Sequence, residues 1–457
     1  MPDGIEKIEH LIVLMMENRS FDHYLGSLAL EGRADIDGLP DPLPAIPDTA
    51  GNPVQAWDIA ASDVAYKYCG YADPPHGPGA QVANYDNGNN DGFVKQYQAK
   101  YPTGQSSDTP PAQAPANLPM AYYTRTTLPV LYSLADQFTV CDHWFCSMLS
   151  STWPNRKYLH SGQRDDDADT QTIPAFPGFQ TTPLYTVLDA AGLTWKCYFS
   201  DLPFLAYWYK FAAFHALDNF TSVDNFVTDC REDNLPAISV IDPPFSLADD
   251  HPAHDVRLGQ KFIGLIVDAL TNSQSWASSA LVILYDENGG FYDHEVPPHS
   301  FEVQNGQPPD RDDPLGFRVP ALIVSPYAKP RFVSKVAYDH TSIMKSISTR
   351  WGVEFPTDVY GTRWKVAPDI WTDGFDFTRT PVMQTYAQTS MEIQHMDWGS
   401  GVYETLTSPV GTLEGLLERI FLLPGLKILD HRARVYDHLQ ALQANTIVLK
   451  RMSPGHP

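Results

Sequence analysis

Short apolar runs alternate with amphipathic segments along the chain, and each run ends in a polar or glycine- and proline-rich cluster. Apolar runs of this length are typical of strands that are buried on both faces of a parallel sheet. The runs that we predict as strands are HLIVLMM (10–16), TWKCYF (194–199), AISVID (237–242), ALVILY (280–285) and PALIVSP (320–326).

Amphipathic segments between or after these runs are predicted to be helices. Residues 182–192 end in Gly192, a residue favoured just past a helix C-terminus. Residues 259–273 carry apolar positions at helical spacing, and residues 340–352 open on Thr and Ser, which favour helix caps. The alternation of strands and helices predicts a three-layer α/β/α sandwich with a mostly parallel central sheet.

Two stretches interrupt this alternation. Residues 27–118 are rich in Pro, Gly, Asn and Asp, and we interpret them as a long insertion that covers one face of the fold. Residues 297–316 look like a second, shorter excursion. We expect one domain over residues 1–457, closed by an irregular segment and helices at 353–457 that pack on the core. The closing helices are predicted at 412–423 and 435–444.

The composition is that of a globular protein and the charge is strongly acidic. Of 457 residues, 43% are hydrophobic and 12% aromatic, which excludes a disordered chain. The net charge of −24, from 31 basic and 55 acidic residues, argues against nucleic acid as a partner, because phosphate backbones require clustered Lys and Arg. An anionic ligand would need a metal ion or histidines to reverse the local charge.

Cysteines and targeting signals add little. The five cysteines are odd in number and form no CxxC pair, so we predict neither a disulfide framework nor a zinc knuckle. No apolar stretch reaches the roughly 18 residues of a membrane span. The first ten residues lack the features of a signal peptide, so we expect a cytoplasmic protein or a processed exported form. The oligomeric state is left open.

Polar side chains gather where the predicted strands end. Glu17 and Asn18 follow the first strand, and Asp286 and Glu287 follow the run at 280–285. Ligands of open α/β sheets bind outside the carboxyl ends of the strands. Oxygen ligands with a few imidazoles suit Mg, Ca, Mn or Zn. The two other strand ends lead into Asp249, Asp250, His251, His254 and Asp255, and into Asp339 and His340.

A nucleophile is available in the segment SMLSSTWPNRKYLHSGQ (147–163). Ser150, Ser151 and Thr152 stand just before PNR, where a helix is expected to begin. A hydroxyl at a helix N-terminus and near a metal ion is readily activated for attack. Alone, however, Ser or Thr before Pro is common turn chemistry.

Five blocks together resemble the bacterial phosphoesterase family. They are ENRSFDHYLG, DPPHG with NDGFV, FTVCDHWFCS with TWPNRKYLHSG, YDENGGFYDH and YDHTSI, and they run from residue 8 to about residue 352 in order. The family unites phosphatidylcholine-type phospholipases C with a group of acid phosphatases. The resemblance implies an alkaline-phosphatase-like α/β/α fold in which long loop insertions form a cap.

The resemblance also implies roles for individual residues. Glu17, Asn18, Asp286 and Glu287 are expected to hold one divalent metal ion of unknown identity. Thr152 is expected to ligate that ion and to act as the nucleophile that becomes phosphorylated.

Further residues are implied as substrate and proton-transfer groups. His76 is expected to contact the phosphate, and Asn155 of the TxPNR block to bind substrate. His251 and His254 resemble histidines that replace a second metal ion of the wider superfamily. One of these two, or His340, would protonate the leaving alcohol.

The function predicted is a metal-dependent phosphoesterase of the phospholipase C type, whose substrate is a phosphate ester such as a phospholipid head group. The alternative is a phosphomonoesterase of the acid phosphatase branch that acts on small soluble esters. A third hypothesis is a binding protein that kept the fold without catalysis. The aromatic run FLAYWYKF (204–211) would line a substrate pocket or simply pack a cap.

Overall fold

The fold was analysed in a computed structural model, which describes residues 2–61, 73–102, 116–165, 178–216, 218–245, 248–252, 254–306, 308 and 312–383. An eight-stranded sheet in the order β12-β6-β11-β10-β1-β9-β7-β8 forms its centre, and β2–β3 and β4–β5 form two small pairs. The strands are β1 His10–Met16, β2 Ala45–Pro47, β3 Pro53–Gln55, β4 Trp57–Asp58, β5 Ala121–Tyr122, β6 Thr139–Cys141, β7 Trp195–Phe199, β8 Phe220–Ser222, β9 Ile238–Asp242, β10 Ser279–Tyr285, β11 Ala321–Val324 and β12 Val333–Ser334.

Helices flank this sheet and complete the α/β/α sandwich that the sequence predicts. One group, α5, α9 and α10, packs together, and α6, α11, α12 and α14 form a second connected group. The helices are α1 Phe21–Tyr24, α2 Ser27–Leu30, α3 Pro78–Tyr85, α4 Phe93–Lys100, α5 Pro129–Gln137, α6 Thr152–Ser161, α7 Tyr185–Ala190, α8 Tyr209–His215, α9 Val223–Arg231, α10 Val256–Thr271, α11 Phe301–Gln304, α12 Thr341–Trp351, α13 Thr357–Tyr360, α14 Arg363–Val366 and α15 Trp371–Gly374.

The central strands are buried because helices cover both faces of the sheet. β1 lies between β9 and β10 in parallel register, with Leu11 opposite Ile238 and Ala280. Every residue of β9 and β10 is buried, as the continuous apolar runs predict. The parallel direction of these three strands brings their carboxyl ends to one edge.

One strand direction was predicted wrongly. The run at 320–326 was expected to be parallel, but β11 is antiparallel to both β10 and β6. The chain then returns through β12, which is parallel to β6, before it reaches Asp339 and His340. Since an apolar run is equally compatible with either direction, only the pairing decides it.

Most predicted elements are confirmed, with small shifts at their ends. Helices α7, α10 and α12 occupy the three predicted amphipathic segments, and β7 occupies the run at 194–199. Residues 357–374, expected to be irregular, form the three short helices α13 to α15, which bury large aromatic side chains such as Trp364 and Trp371. The helices predicted at 412–423 and 435–444 lie outside the described residues.

The described parts of the 27–118 segment contribute α2 to α4, β2 to β4 and a small apolar cluster of their own. That cluster joins the body of the protein through Tyr292 and Phe317. Its other members are Leu39, Ile46, Ala56, Phe93, Val94 and Met120.

The structure describes four of the five cysteines. The four described cysteines, Cys141, Cys146, Cys197 and Cys230, are buried free thiols. Within the ranges given above, none of the helices combines the length and the apolar character required to traverse a bilayer.

Candidate active site

The ends of β1 and β10 deliver four predicted metal ligands to the same edge of the sheet. Glu17 and Asn18 follow β1, and Asp286 and Glu287 follow β10. The backbone N–H of Asn18 donates to Asp286 Oδ1 at 3.0 Å. Asn18 has φ +60°, a left-handed conformation that asparagine adopts more readily than most residues. The local backbone therefore favours asparagine at this position.

Two glycines after Glu287 allow three segments to approach one another closely. Gly289 and Gly290 have φ +63° and +69°. A Cβ atom on Gly289 would lie 2.0 Å from the carbonyl oxygen of Asn18, and one on Gly290 would lie 2.6 Å from that of Pro75. Both conformation and space thus require glycine in the YDENGGFYDH block.

Thr152 is the first residue of α6 and lies next to Asn18. Its hydroxyl donates to Asn18 Oδ1 at 3.1 Å. The amide nitrogen of the same side chain donates to His76 Nε2 at 3.2 Å, while His76 Nδ1 donates to the carbonyl of Pro74 at 2.7 Å. Asn18 therefore connects the predicted nucleophile to the predicted phosphate-contacting histidine.

Arg156 pairs with carboxylates from three strands, a role that the sequence did not predict. Its guanidinium lies 3.0 Å from Asp286 Oδ2, 3.3 Å from Glu17 Oε1 and 3.3 Å from Asp242 Oδ1. Arg156 is completely buried. A usable signal was present, because Arg156 follows Thr152 by four positions and so lies on the same face of α6.

Negative charge exceeds positive charge at this edge. Burial and the charge of Asp286 raise the pKa of both Glu17 and Glu287 well above the usual range. Burial also raises the pKa of Asp286, although Arg156 opposes the shift. One guanidinium faces Glu17, Asp242 and Asp286, and the fully buried Glu287 lies beside them without a cation at hydrogen-bond distance.

The residues at this edge fit a divalent cation. Glu287 Oε2 accepts from the N–H of Gly289 at 2.7 Å, but Glu287 Oε1 is buried and has no hydrogen-bond partner. A buried carboxylate oxygen without a donor is costly unless a cation binds it. Carboxylate, amide and hydroxyl oxygens are ligands of hard divalent cations.

Ligand atoms of Glu17, Asp286 and Glu287 do not all lie within 4.8 Å of one another, and Arg156 pairs with both Glu17 and Asp286. In the described ranges, three other groups of acids and histidines have ligand atoms within 4.8 Å of one another. They are Asp73–His76–His251, Asp22–Asp293–His294 and Asp37–His143–Glu295. The first lies at the candidate site, where His76 Nε2 is 3.9 Å from Glu287 Oε1.

Asp249 organises the two histidines that were predicted for proton transfer. Its Oδ1 accepts from His254 Nδ1 at 2.5 Å and from the N–H of His251 at 2.8 Å. Its carbonyl accepts from the N–H of Glu17 at 2.8 Å, which ties the loop to the end of β1. The rings of His251 and His76 lie 5.8 Å apart.

The two histidines differ in their preferred protonation state. Burial lowers the pKa of His251 to about 4. Burial also disfavours the charged form of His254, but the charge and hydrogen bond of Asp249 outweigh burial and raise its pKa. Of the two histidines, His254 is therefore the one whose protonated form its surroundings favour.

His340 is engaged inside the protein and does not present a free ring nitrogen. Its Nε2 donates to the carbonyl of Asp286 at 2.7 Å, and its Nδ1 accepts from Trp144 Nε1 at 3.3 Å. Burial lowers its pKa to about 4. In this arrangement the ring of His340 holds the backbone of Asp286.

Asn155 likewise uses its side chain within the protein, where substrate binding was expected. Its Oδ1 accepts from the N–H of Met148, and its Nδ2 donates to the carbonyls of Met148, Ser150 and Ser151. These hydrogen bonds tie the Asn155 amide to the loop that leads into α6. Asn155 shapes the approach to Thr152 and is buried itself.

Aromatic side chains pack beside the nucleophile helix. The rings of the half-buried Trp153 and of Tyr207 lie 4.4 Å apart. Phe204 and Trp208 are almost fully buried. The run at 204–211 therefore mainly contributes to packing, which is one of the two interpretations that the sequence allows.

Comparisons with known proteins agree on a single family. A model described as "Phosphoesterase family" matches residues 8–354. Phospholipase C B of Mycobacterium tuberculosis is 35% identical over 437 residues, covering 83% of this chain and 80% of that protein. Non-specific phospholipase C3 of Arabidopsis thaliana is 31% identical over 351 residues, covering 71% and 64%.

A solved structure is more distant. A protein in the alkaline phosphatase superfamily from Vibrio parahaemolyticus matches with 13% identity and a TM-score of 0.36, covering 53% of this chain and 64% of that one.

Proposed function

The chain belongs to the phosphoesterase family and hydrolyses phosphoric ester bonds, and from this premise we propose that it is a phospholipase C-type enzyme that acts through Thr152. The observation that carries the proposal is the contact of the Thr152 hydroxyl with Asn18 at the carboxyl ends of β1 and β10. Glu287, with an unpaired buried oxygen, lies in the turn that packs on Asn18. A hydroxyl that contacts Asn18, next to a carboxylate that has one oxygen without a donor, supports a nucleophile that is activated next to a cation.

Glu17, Asn18, Asp286, Glu287 and Thr152 would hold one divalent cation. Such a cation, when bound, lowers the cost of releasing the Thr152 proton and offsets the charge of a phosphate ester. Asn18 orients the Thr152 hydroxyl through its Oδ1 atom. Arg156 holds the carboxylates of Glu17 and Asp286 in place through ion pairs.

The chemical step is an in-line displacement at phosphorus. The Thr152 oxygen forms a bond to phosphorus while the bond from phosphorus to the departing alcohol breaks. His254, which Asp249 keeps in the proton-holding form, donates a proton to the departing oxygen. Water then attacks the phosphothreonine and loses a proton to His254, while the bond from phosphorus to the Thr152 oxygen breaks and that oxygen recovers from solvent the proton that it released in the first step.

The phosphate would be held by groups that oppose the acidity of the protein. His76 is half-buried beside Asn18, and His251 lies across from it. The N-terminus of α6, where Thr152 is the first residue, adds the positive end of a ten-residue helix. Of these groups, the helix end supplies the local attraction for an anion in a chain of net charge −24.

A two-substrate assay tests the proposal. Release of phosphocholine from phosphatidylcholine is measured beside hydrolysis of p-nitrophenyl phosphate, with the wild type, Thr152→Ala and the control Ser150→Ala. We expect phosphocholine release and a loss of about 10³-fold or more in Thr152→Ala, as for other nucleophile deletions. Hydrolysis of the monoester alone would indicate the phosphomonoesterase instead. Retained activity in Thr152→Ala would contradict the covalent mechanism.

A further inference from the structure

Helix α3, from the inserted segment, reaches into the candidate site with one side chain. Gln81 is buried, although α3 itself is largely at the surface and the next residue, Val82, is 57% exposed. Gln81 Nε2 donates to Glu287 Oε2 at 2.9 Å and to Asn288 Oδ1 at 2.5 Å. A single amide from the insertion thus contacts two consecutive residues of the YDENGG turn.

The orientation of the Gln81 amide is set by its neighbours. Both of its contacts in the turn are oxygen atoms, so its nitrogen must face them. Its Oε1 accepts from Asn84 Nδ2 at 3.5 Å, one turn further along α3. The arrangement leaves Gln81 a donor to Glu287 and excludes the flipped amide, which would place oxygen against oxygen.

These contacts determine which oxygen of Glu287 remains available. Oε2 receives Gln81 and the N–H of Gly289, so two donors occupy it. Oε1 has no hydrogen-bond partner and lies 3.9 Å from His76 Nε2. Glu287 is therefore held with one oxygen anchored and the other presented toward the residues of the site.

We propose that Gln81 is a positioning residue that fixes Glu287 for binding a hard divalent cation through Oε1 alone. The inference rests on the proposed function, in which Glu287 is a cation ligand. Residues that hydrogen-bond a ligating carboxylate fix its orientation, and their loss typically weakens metal affinity about 10- to 100-fold. The insertion is then part of the cation site and not only a cover over it.

The same geometry links the insertion to the cation. His76 and Gln81 lie on either side of the start of α3 and contact Asn18 and Glu287 respectively. A cation that orders Glu287 also favours the docked position of α3, because Gln81 requires Glu287 in this rotamer. Cation binding should therefore slow hydrogen exchange of the α3 amides.

To test this, the metal-free full chain is titrated with Mn²⁺, Ca²⁺ and Zn²⁺ in separate experiments. Calorimetry measures the Kd of each ion. Gln81→Met keeps the length of the side chain but removes the donor, and we expect the Kd to rise about 10- to 100-fold. Asn84→Ala removes only the group that orients Gln81 and should raise the Kd by a few fold. Gln96→Met, on the neighbouring helix α4, is the control and should leave the Kd unchanged.

The possible results distinguish a failure of this inference from a failure of the proposed function. If the wild type binds none of the three ions, the cation site itself is wrong. If the wild type binds and Gln81→Met has the same Kd, the cation site stands and the role of Gln81 is refuted. A general folding defect would lower kcat at every cation concentration, whereas a positioning role predicts that most of the activity returns at saturating cation. Should Gln81→Met fail to fold, the Kd of Asn84→Ala decides.

Discussion

Two clusters of acids, each around a buried arginine, differ in how their charge is balanced. The first is the Arg156 cluster, formed by Arg156, Glu17, Asp242, Asp286 and Glu287. The second is the Arg318 cluster, formed by Arg318, Asp22, Asp37, Asp293 and His294.

The Arg318 cluster is satisfied by the protein itself. Arg318 lies 2.7 Å from Asp293 Oδ1 and 3.1 Å from Asp22 Oδ1. His294 Nδ1 lies 2.8 Å from Asp22 Oδ2, and Asp293 Oδ2 accepts from the N–H of Asp22 at 3.2 Å. Each oxygen of Asp22 and Asp293 therefore has a donor. A cation would have to displace these contacts.

The Arg156 cluster differs by one atom, Glu287 Oε1, which lacks a donor. Spacing alone does not select the Arg156 cluster, because ligand atoms of Asp22, Asp293 and His294 all lie within 4.8 Å of one another, whereas those of Glu17, Asp286 and Glu287 do not. The missing donor does separate them. The comparison teaches that, of these two clusters, only the Arg156 cluster leaves a buried carboxylate oxygen for a cation to bind.

The largest effect is expected from Glu287→Gln. We expect a loss of activity of about 10³-fold or more with an unchanged or raised Tm, because the change removes a buried charge that lacks a partner. Divalent cations should no longer raise the Tm of this variant. Activity and thermal unfolding, each with and without cation, measure both effects.

The matched control for that variant is Glu302→Gln. Glu302 is also fully buried but pairs with Arg363 at 3.2 Å. The Glu302→Gln variant should lose stability and keep its activity. A loss of activity equal to that of Glu287→Gln would remove the distinction between a ligand and a structural acid.

A smaller effect, on stability alone, is expected from Arg318→Met. Removing the guanidinium leaves Asp22 and Asp293 buried without their main cation, and such a loss costs about 3 kcal/mol or more. Urea unfolding measures the free energy, and kcat per folded molecule should stay near the wild-type value. The exposed Arg331 provides the control Arg331→Met. An unchanged unfolding free energy in Arg318→Met would contradict the structural role of this cluster.

The smallest effect is the pH dependence that His294 contributes. Burial disfavours the charged form, but the charge of Asp22 and the hydrogen bonds to Asp22 and Asp37 together outweigh burial and raise the pKa of His294 to about 10. Because the folded pKa is above the unfolded value of about 6.5, this stabilisation is complete below pH of about 6.5 and is lost as the pH rises toward 10.

For a single proton the loss is at most about 1.4 kcal/mol per pH unit. Urea unfolding at pH 7, 8 and 9 should therefore give a steeper decline in the wild type than in His294→Gln. Parallel declines would show that His294 does not titrate as this cluster requires.

The strand ends could be predicted because their signal is local. Glu17 and Asn18 directly follow a buried apolar run, as do Asp286 and Glu287, so position along the chain already places them at the edge of a sheet. The identity of Thr152 as the residue beside Asn18 followed from a family block. Contacts across the fold had no comparable signal: Gln81 and Glu287 are 206 positions apart.

The roles of individual side chains could not be derived from residue type. His340 and His254 are both histidines in polar segments, yet one is engaged by Trp144 and a carbonyl and the other by a carboxylate. The preferred protonation state of an imidazole depends on these neighbours and on burial, which a sequence does not contain.

By itself, the sequence determined five of the eight strands of the central sheet, the helices α7, α10 and α12, the family, and the residues that leave β1 and β10 at the edge of the sheet. These follow from apolar periodicity and from short blocks, which act over a few neighbouring residues. The tertiary structure alone decided the antiparallel direction of β11, the pairing of Arg156 with three strands, and the single oxygen of Glu287 that remains without a donor. Those features depend on which distant groups meet in a buried space, where every polar atom must find a partner.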